Sequence, residues 1–149
     1  MSMSERSEKA LRIFNNGFNC AQSVLSVFAP ALGLSERDAL RTAGAFGGGM
    51  ARMGNVCGAV TGGMMVVGLF SAKTAPEEDH RKKECYRLTR QFAGQFEKRH
   101  GTLDCNRLLG VEMQTDEGFA KARDTGLFET RCPGLVKAAV EILESILIP

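Results

Sequence analysis

Tryptophan is absent from the 149 residues and tyrosine occurs once, which leaves little for a platform that stacks bases or sugars. Charge of one sign does not dominate either. With 19 basic and 17 acidic residues and a net charge of +2, the chain has no field strong enough to gather nucleic acid. Arg81-Lys82-Lys83 stands among Glu77, Glu78, Asp79 and Glu84 and reads as a solvated helix face. No Cys-x-x-Cys occurs, so neither a thioredoxin-type dithiol nor a zinc ribbon is encoded locally. The two histidines, His80 and His100, lack a His-Glu-x-x-His frame, and a zinc hydrolase has no ligand set here. No segment alternates apolar and polar residues, and no Asn-Gly or Asp-Gly turn separates apolar runs, so strands are not expected and the fold is read as all-α.

What is present is a long uncharged stretch, Met53–Phe70 (MGNVCGAVTGGMMVVGLF), with no charge between Arg52 and Lys73. About twenty uncharged residues are enough to span a bilayer, and Gly58-x-x-x-Gly62 matches the spacing of membrane helix pairs. Yet many of the residues are Gly, Ala and Thr, no aromatic belt flanks them and no second apolar run pairs with them. A central interior helix surrounded by amphipathic ones accounts for the same composition, and no membrane span is expected. Its glycines let other backbones come close.

A chain of this length forms one domain, residues 1–149, with a core that needs no staples. The N-terminal MSMSERSEKALRIF carries charges where a signal peptide would hold its apolar segment, so a cytoplasmic location is expected. In a reducing compartment five cysteines read as free thiols, metal ligands or a redox couple rather than permanent disulfides.

Helix signals recur along the chain. Ser4 is a candidate cap for a helix through Asn16, with Ala10, Leu11 and Phe14 on one face. Asn19 caps a second, with Cys20 in its first turn and Val24, Leu25 and Phe28 at helical spacing before Pro30. Ser35-x-x-Asp38 resembles a capping box for a short helix that Gly44 and Gly47-Gly48-Gly49 end. Asn55 is the expected cap of the central helix, with Cys57 in its first turn. Thr74-x-x-Glu77, with Pro76 in the first turn, opens the longest amphipathic helix, whose buried face is Cys85, Leu88, Phe92 and Phe96. Asp104 caps a short helix from Cys105 to Gly110. A less regular polar stretch runs from Glu112 to Thr130, with a helical turn near Gly118 to Arg123. Cys132-Pro133 starts the last helix, with Leu135, Ala139, Ile142, Leu143 and Ile146 as its stripe.

These boundaries put Cys20, Cys57, Cys105 and Cys132 at a helix cap or first turn. There the unpaired N–H groups and the positive end of the helix dipole favour a thiolate, which is both the nucleophile and the metal ligand. Cys85, beside Leu88 and Phe92, reads as apolar filler. Two chemistries fit the other four: a thiol redox protein with Cys57 as the attacking thiol and an unassigned resolving partner, or one four-cysteine site for an iron–sulfur cluster or zinc. An interaction module with inert cysteines is the third reading. Gly47-Gly48-Gly49 has no preceding strand and no Gly-Lys-Ser/Thr; it is read as a flexible turn or as backbone lying close to the cysteines. Met50, Met53, Met64 and Met65 read as gap-fillers beside glycine. The residues name no cofactor, and the Gly-rich face serves packing within one chain or in a homo-oligomer.

Asn19-Cys20-Ala21-Gln22, Cys57-Gly58-Ala59-Val60-Thr61-Gly62, Cys105 with Leu108-Leu109-Gly110, and Cys132-Pro133 together resemble the redox-active protein family labelled C_GCAxxG_C_C. The resemblance runs from about Phe18 into the last helix, and Cys85 lies outside its pattern. It implies a small prokaryotic redox protein whose four characteristic cysteines are Cys20, Cys57, Cys105 and Cys132. Association of such proteins with transporter loci implies a redox partner linked to a transporter.

Overall fold

The computed structural model describes residues 3–148, and within them the fold is all-α. Helix α1 is Met3–Asn15, α2 Cys20–Phe28, α3 Glu36–Thr42, α4 Gly58–Thr74 and α5 Glu78–His100. The short helices α6 (Cys105–Leu109), α7 (Asp116–Asp124) and α8 (Leu127–Thr130) lead to α9, Cys132–Leu147. Among the described residues no helix is long and apolar enough to cross a membrane.

Helix α4 is the centre of the body, and its glycines explain how. A Cβ on Gly62 would lie 2.7 Å from the Ala21 carbonyl oxygen, and one on Gly58 would lie 3.1 Å from the Cys20 Cβ, so α2 crosses α4 backbone to backbone. Gly63 serves the opposite neighbour, because the ring of Phe92 on α5 occupies the space its side chain would need. Phe92, Phe96, Val60, Val66, Val67, Val136 and Val140 are fully buried around this axis. The interior reading holds for the first half of α4. Farther on, Met64, Met65, Gly68, Leu69 and Phe70 are only half-buried, and Ala72, Lys73 and Thr74 are exposed.

Helix α9 closes the body against α1, α4 and α5. Within this interface Arg6 of α1 meets Glu144 of α9 at 2.5 Å, with the Arg6 guanidinium 4.8 Å above the Phe28 ring. Glu144 is fully buried; burial pushes its carboxyl pKa up while Arg6 pulls it down. A buried charge demands such a partner.

Several helix boundaries differ from the sequence expectation. The cap of α4 is Cys57 itself, two residues beyond Asn55. Asn55 instead has its N–H and carbonyl tied to Gly49 and Cys105. Thr74 is the last residue of α4, Pro76 lies in the connection, and Glu77 caps α5 without a side-chain bond, because the apolar run continues through Phe70 before the chain can turn. Ser4 lies inside α1. The stretch 112–130 is more helical than expected: Thr115 caps α7, and Gly126, at φ +73°, opens α8. Met53 is exposed and fills no gap.

Candidate functional site

The four cysteines at helix starts line one cavity of about 660 Å³. Cys20 begins α2, Cys57 caps α4, Cys105 begins α6 and Cys132 begins α9, so tertiary folding brings together positions that lie far apart in sequence. All are free thiols, Cys20 half-buried and the other three buried. Cys85 stands apart on α5, packed against the main core and absent from the cavity lining. Neither histidine lines it; His80 is exposed, and the His100 ring lies 4.7 Å from that of Phe96.

Each motif has a local mechanical reason. Asn19 and Gln22 form a reciprocal capping box, Gln22 N–H to Asn19 Oδ1 at 2.8 Å and Asn19 N–H to Gln22 Oε1 at 2.9 Å. The remaining amide groups hold the neighbouring loop: Asn19 Nδ2 donates to the Ala43 and Gly44 carbonyls, and Gln22 Nε2 to Leu40. Cys20 is thereby held at the first turn, and Ala21 against Gly62. Residues 54–57 pair antiparallel with 103–106 through the isolated bridge Val56–Asp104, with Cys57 N–H to Leu103 O at 2.8 Å and Cys105 N–H to Asn55 O at 2.6 Å. That pairing sets Cys57 opposite Leu103 and Cys105 opposite Asn55, which holds the second and third cysteines on one short ladder. Arg131 ties the start of α9 to α6 by donating to the Leu108 carbonyl at 2.9 Å.

The glycine run is backbone pressed against this site. A Cβ on Gly49 would lie 2.7 Å from Cys105 Cβ, and one on Gly47 would lie 2.7 Å from Asn19 Cβ. From Gly48 to Arg52 five consecutive residues have positive φ, including Met50 (72°), Ala51 (51°) and Arg52 (62°). Such a left-handed turn costs roughly 1–2 kcal/mol for each non-glycine residue. It is held by Ala51 N–H to Ala45 O at 2.8 Å and Asn55 N–H to Gly49 O at 2.9 Å, and it sets Arg52 over the Phe119 ring at 3.9 Å.

The thiols are electrostatically unequal. Cys132 and burial raise the pKa of Cys20 well above the ordinary thiol value, while the neighbouring Cys20 lowers that of Cys132. Burial pushes Cys57 up to about 11, although the Ala59 and Val60 N–H groups at the start of α4 work the other way. Burial, with Cys57 and Cys132 nearby, pushes Cys105 up to about 12. Among the described residues, no group of three or more His, Cys, Asp or Glu side chains is placed to hold a metal ion.

Sequence reasoning named the four cysteines and, as one of two readings, the Gly47-Gly48-Gly49 backbone beside them; it did not place Phe14, Arg52, Met113, Phe119, Arg123 or Phe128 in the same wall. The available signal was Phe119 and the Leu127-Phe128 pair in a mostly polar stretch.

An all-α domain that gathers four thiols from four helix starts around one cavity is the architecture these observations define. The chain belongs to the family described as "Putative redox-active protein (C_GCAxxG_C_C)", whose model matches residues 18–146. No curated protein and no solved structure matches it.

Proposed function

We propose that this is a thiol–disulfide redox protein in which Cys132 is the attacking thiolate and Cys20 the resolving thiol. The observation that carries the reading is that Cys20 and Cys132 line the same cavity and pack into the same small cluster, and the opposite shifts of their pKa values support a thiolate on Cys132 and a proton on Cys20. A lowered thiol pKa raises the thiolate fraction at neutral pH, and a second thiol in the same cavity can displace whatever becomes bonded to the first. The glycine-rich motif by itself had favoured Cys57 as the attacker. Its burial favours the protonated thiol, so Cys57 and Cys105 are read as a neighbouring pair held in reserve. The four-cysteine metal alternative draws support from the convergence on one cavity, but the lack of a three-ligand group weakens it for a single zinc ion.

The test is alkylation of anaerobically purified, reduced protein by iodoacetamide, with peptide mapping and metal analysis of the same sample. The expected result is rapid labelling of Cys132 that persists to lower pH than for an ordinary thiol, because a lowered pKa keeps the thiolate until the pH falls through it. Mild oxidation should then join Cys20 to Cys132. Fast labelling at Cys57 that Cys57→Ser removes would return the attack to that residue. Bound iron with four protected thiols would replace the dithiol by a cluster.

A further inference from the structure

We infer that the cavity takes a small organic disulfide bearing an anionic group, which Arg52 holds at the mouth; this rests on the dithiol reading above. Size is the first argument. About 660 Å³ lies within the range of small-molecule sites and far exceeds the roughly 30 Å³ share of one water, so it is much larger than a peroxide needs. Access is the second argument. Three of the four thiols are buried, so a disulfide in another folded protein would have to enter the cavity, whereas a small molecule fits inside.

Charge is the third argument. The lining contains Arg52 and Arg123 and no Asp or Glu. Asp124 pairs with Arg123 at 2.9 Å. Glu129 influences Cys132 and Asp104 influences Cys105, but both lie outside the lining. Among the described residues Arg52 has no ion pair. Its guanidinium lies over Phe119, whose ring is 5.7 Å from that of Phe128. A guanidinium stacked by its face still presents its edge, a planar fork of N–H donors that suits a carboxylate. Phe14, Leu108, Leu109, Met113 and Leu135 line the cavity and offer apolar surface to the organic part. The left-handed run that ends in Arg52 is strain located at a binding wall.

The reaction balances. The Cys132 thiolate attacks one sulfur of RS–SR′, that bond breaks, and R′S⁻ leaves with the proton of Cys20. The Cys20 sulfur then attacks the Cys132 sulfur, forming the protein disulfide and releasing RS⁻. Two electrons pass to the substrate, and one thiol and one thiolate are released.

The experiment compares stopped-flow rates of the reduced protein with 5,5′-dithiobis(2-nitrobenzoate), a dianionic disulfide, and with uncharged 2,2′-dithiodipyridine. Each rate is normalised to that of 2-mercaptoethanol. The expected preference for the dianion is about tenfold or more, the scale of one charge-assisted hydrogen bond, and Arg52→Gln should remove most of it while Arg52→Lys restores part. A normalised ratio near one, or one that Arg52→Gln does not change, overturns the inference when the Cys20–Cys132 disulfide still forms. If neither probe produces that disulfide, the dithiol reading fails first and this inference with it. Faster reduction of insulin than of both probes would assign a protein substrate instead.

Discussion

Phe92 and Phe119 are both helical phenylalanines, but they belong to different kinds of structure. Phe92 is fully buried, its ring set against the bare backbone of Gly63, where long regular helices meet. Phe119 is half-buried on the nine-residue helix α7, facing an arginine and a cavity. The body is built from α1, α2, α4, α5 and α9 with close contacts. Most of the wall comes from residues 43–57 and 101–131, which include a left-handed turn, a single bridge and three short helices, while the body helices contribute Phe14, Cys20, Gly58, Cys132 and Leu135 to it. A close-packed interior leaves no room for a ligand. The wall keeps apolar surface facing open space, and that is where the four helix-start cysteines emerge.

The largest test of this contrast is truncation of one ring in each region. Phe92→Ala should lower stability by about 3–5 kcal/mol in urea unfolding, the scale for deleting a buried aromatic. Phe119→Ala should cost much less, because its ring is already partly exposed. Equal losses would mean that wall and body form one core.

A smaller effect comes from Cys57, which joins the two regions. Burial pushes its pKa from the ordinary thiol value of 9.0 up to about 11, so the folded state holds this proton more tightly than the unfolded chain. The associated stability is full below pH 9 and is lost as pH rises from 9 toward 11, by about 2–3 kcal/mol. Denaturation midpoints across that range should fall more steeply for the natural chain than for Cys57→Ala. Parallel curves would show that burial does not govern this thiol.

The smallest effect concerns strain. Ala51 is exposed at φ +51°, so Ala51→Gly should raise the unfolding free energy by about 1 kcal/mol without loss of packing. A destabilised variant would show that the wall depends on the alanine side chain.

Much of the helix plan was legible. Asn19, Ser35 and Asp104 accept hydrogen bonds at the helix starts expected for them, since capping is a local interaction of a few residues. Failures arose where the outcome depended on distant partners. Pro76 looked like a first-turn proline, but α4 extends to Thr74 and leaves it in a connection. Glu144 would pass for a solvent-facing residue, yet it is buried opposite Arg6, 138 positions earlier. Arg52 gave no signal at all, because three consecutive left-handed non-glycine residues cannot be anticipated from residue type.

By itself, then, the sequence determined an all-α fold, a glycine-lined central helix and four cysteines at helix starts. Periodicity, caps and glycine spacing act over short distances and are written directly in the residues. Tertiary structure alone decided that these four starts converge on one cavity, that Cys20 packs into the cluster that holds Cys132, and that an arginine and two phenylalanines enclose the space beside them. Those relations depend on how α2, α4 and α9 cross and on the loop pairing of residues 54–57 with 103–106, and such long-range contacts have no local signature.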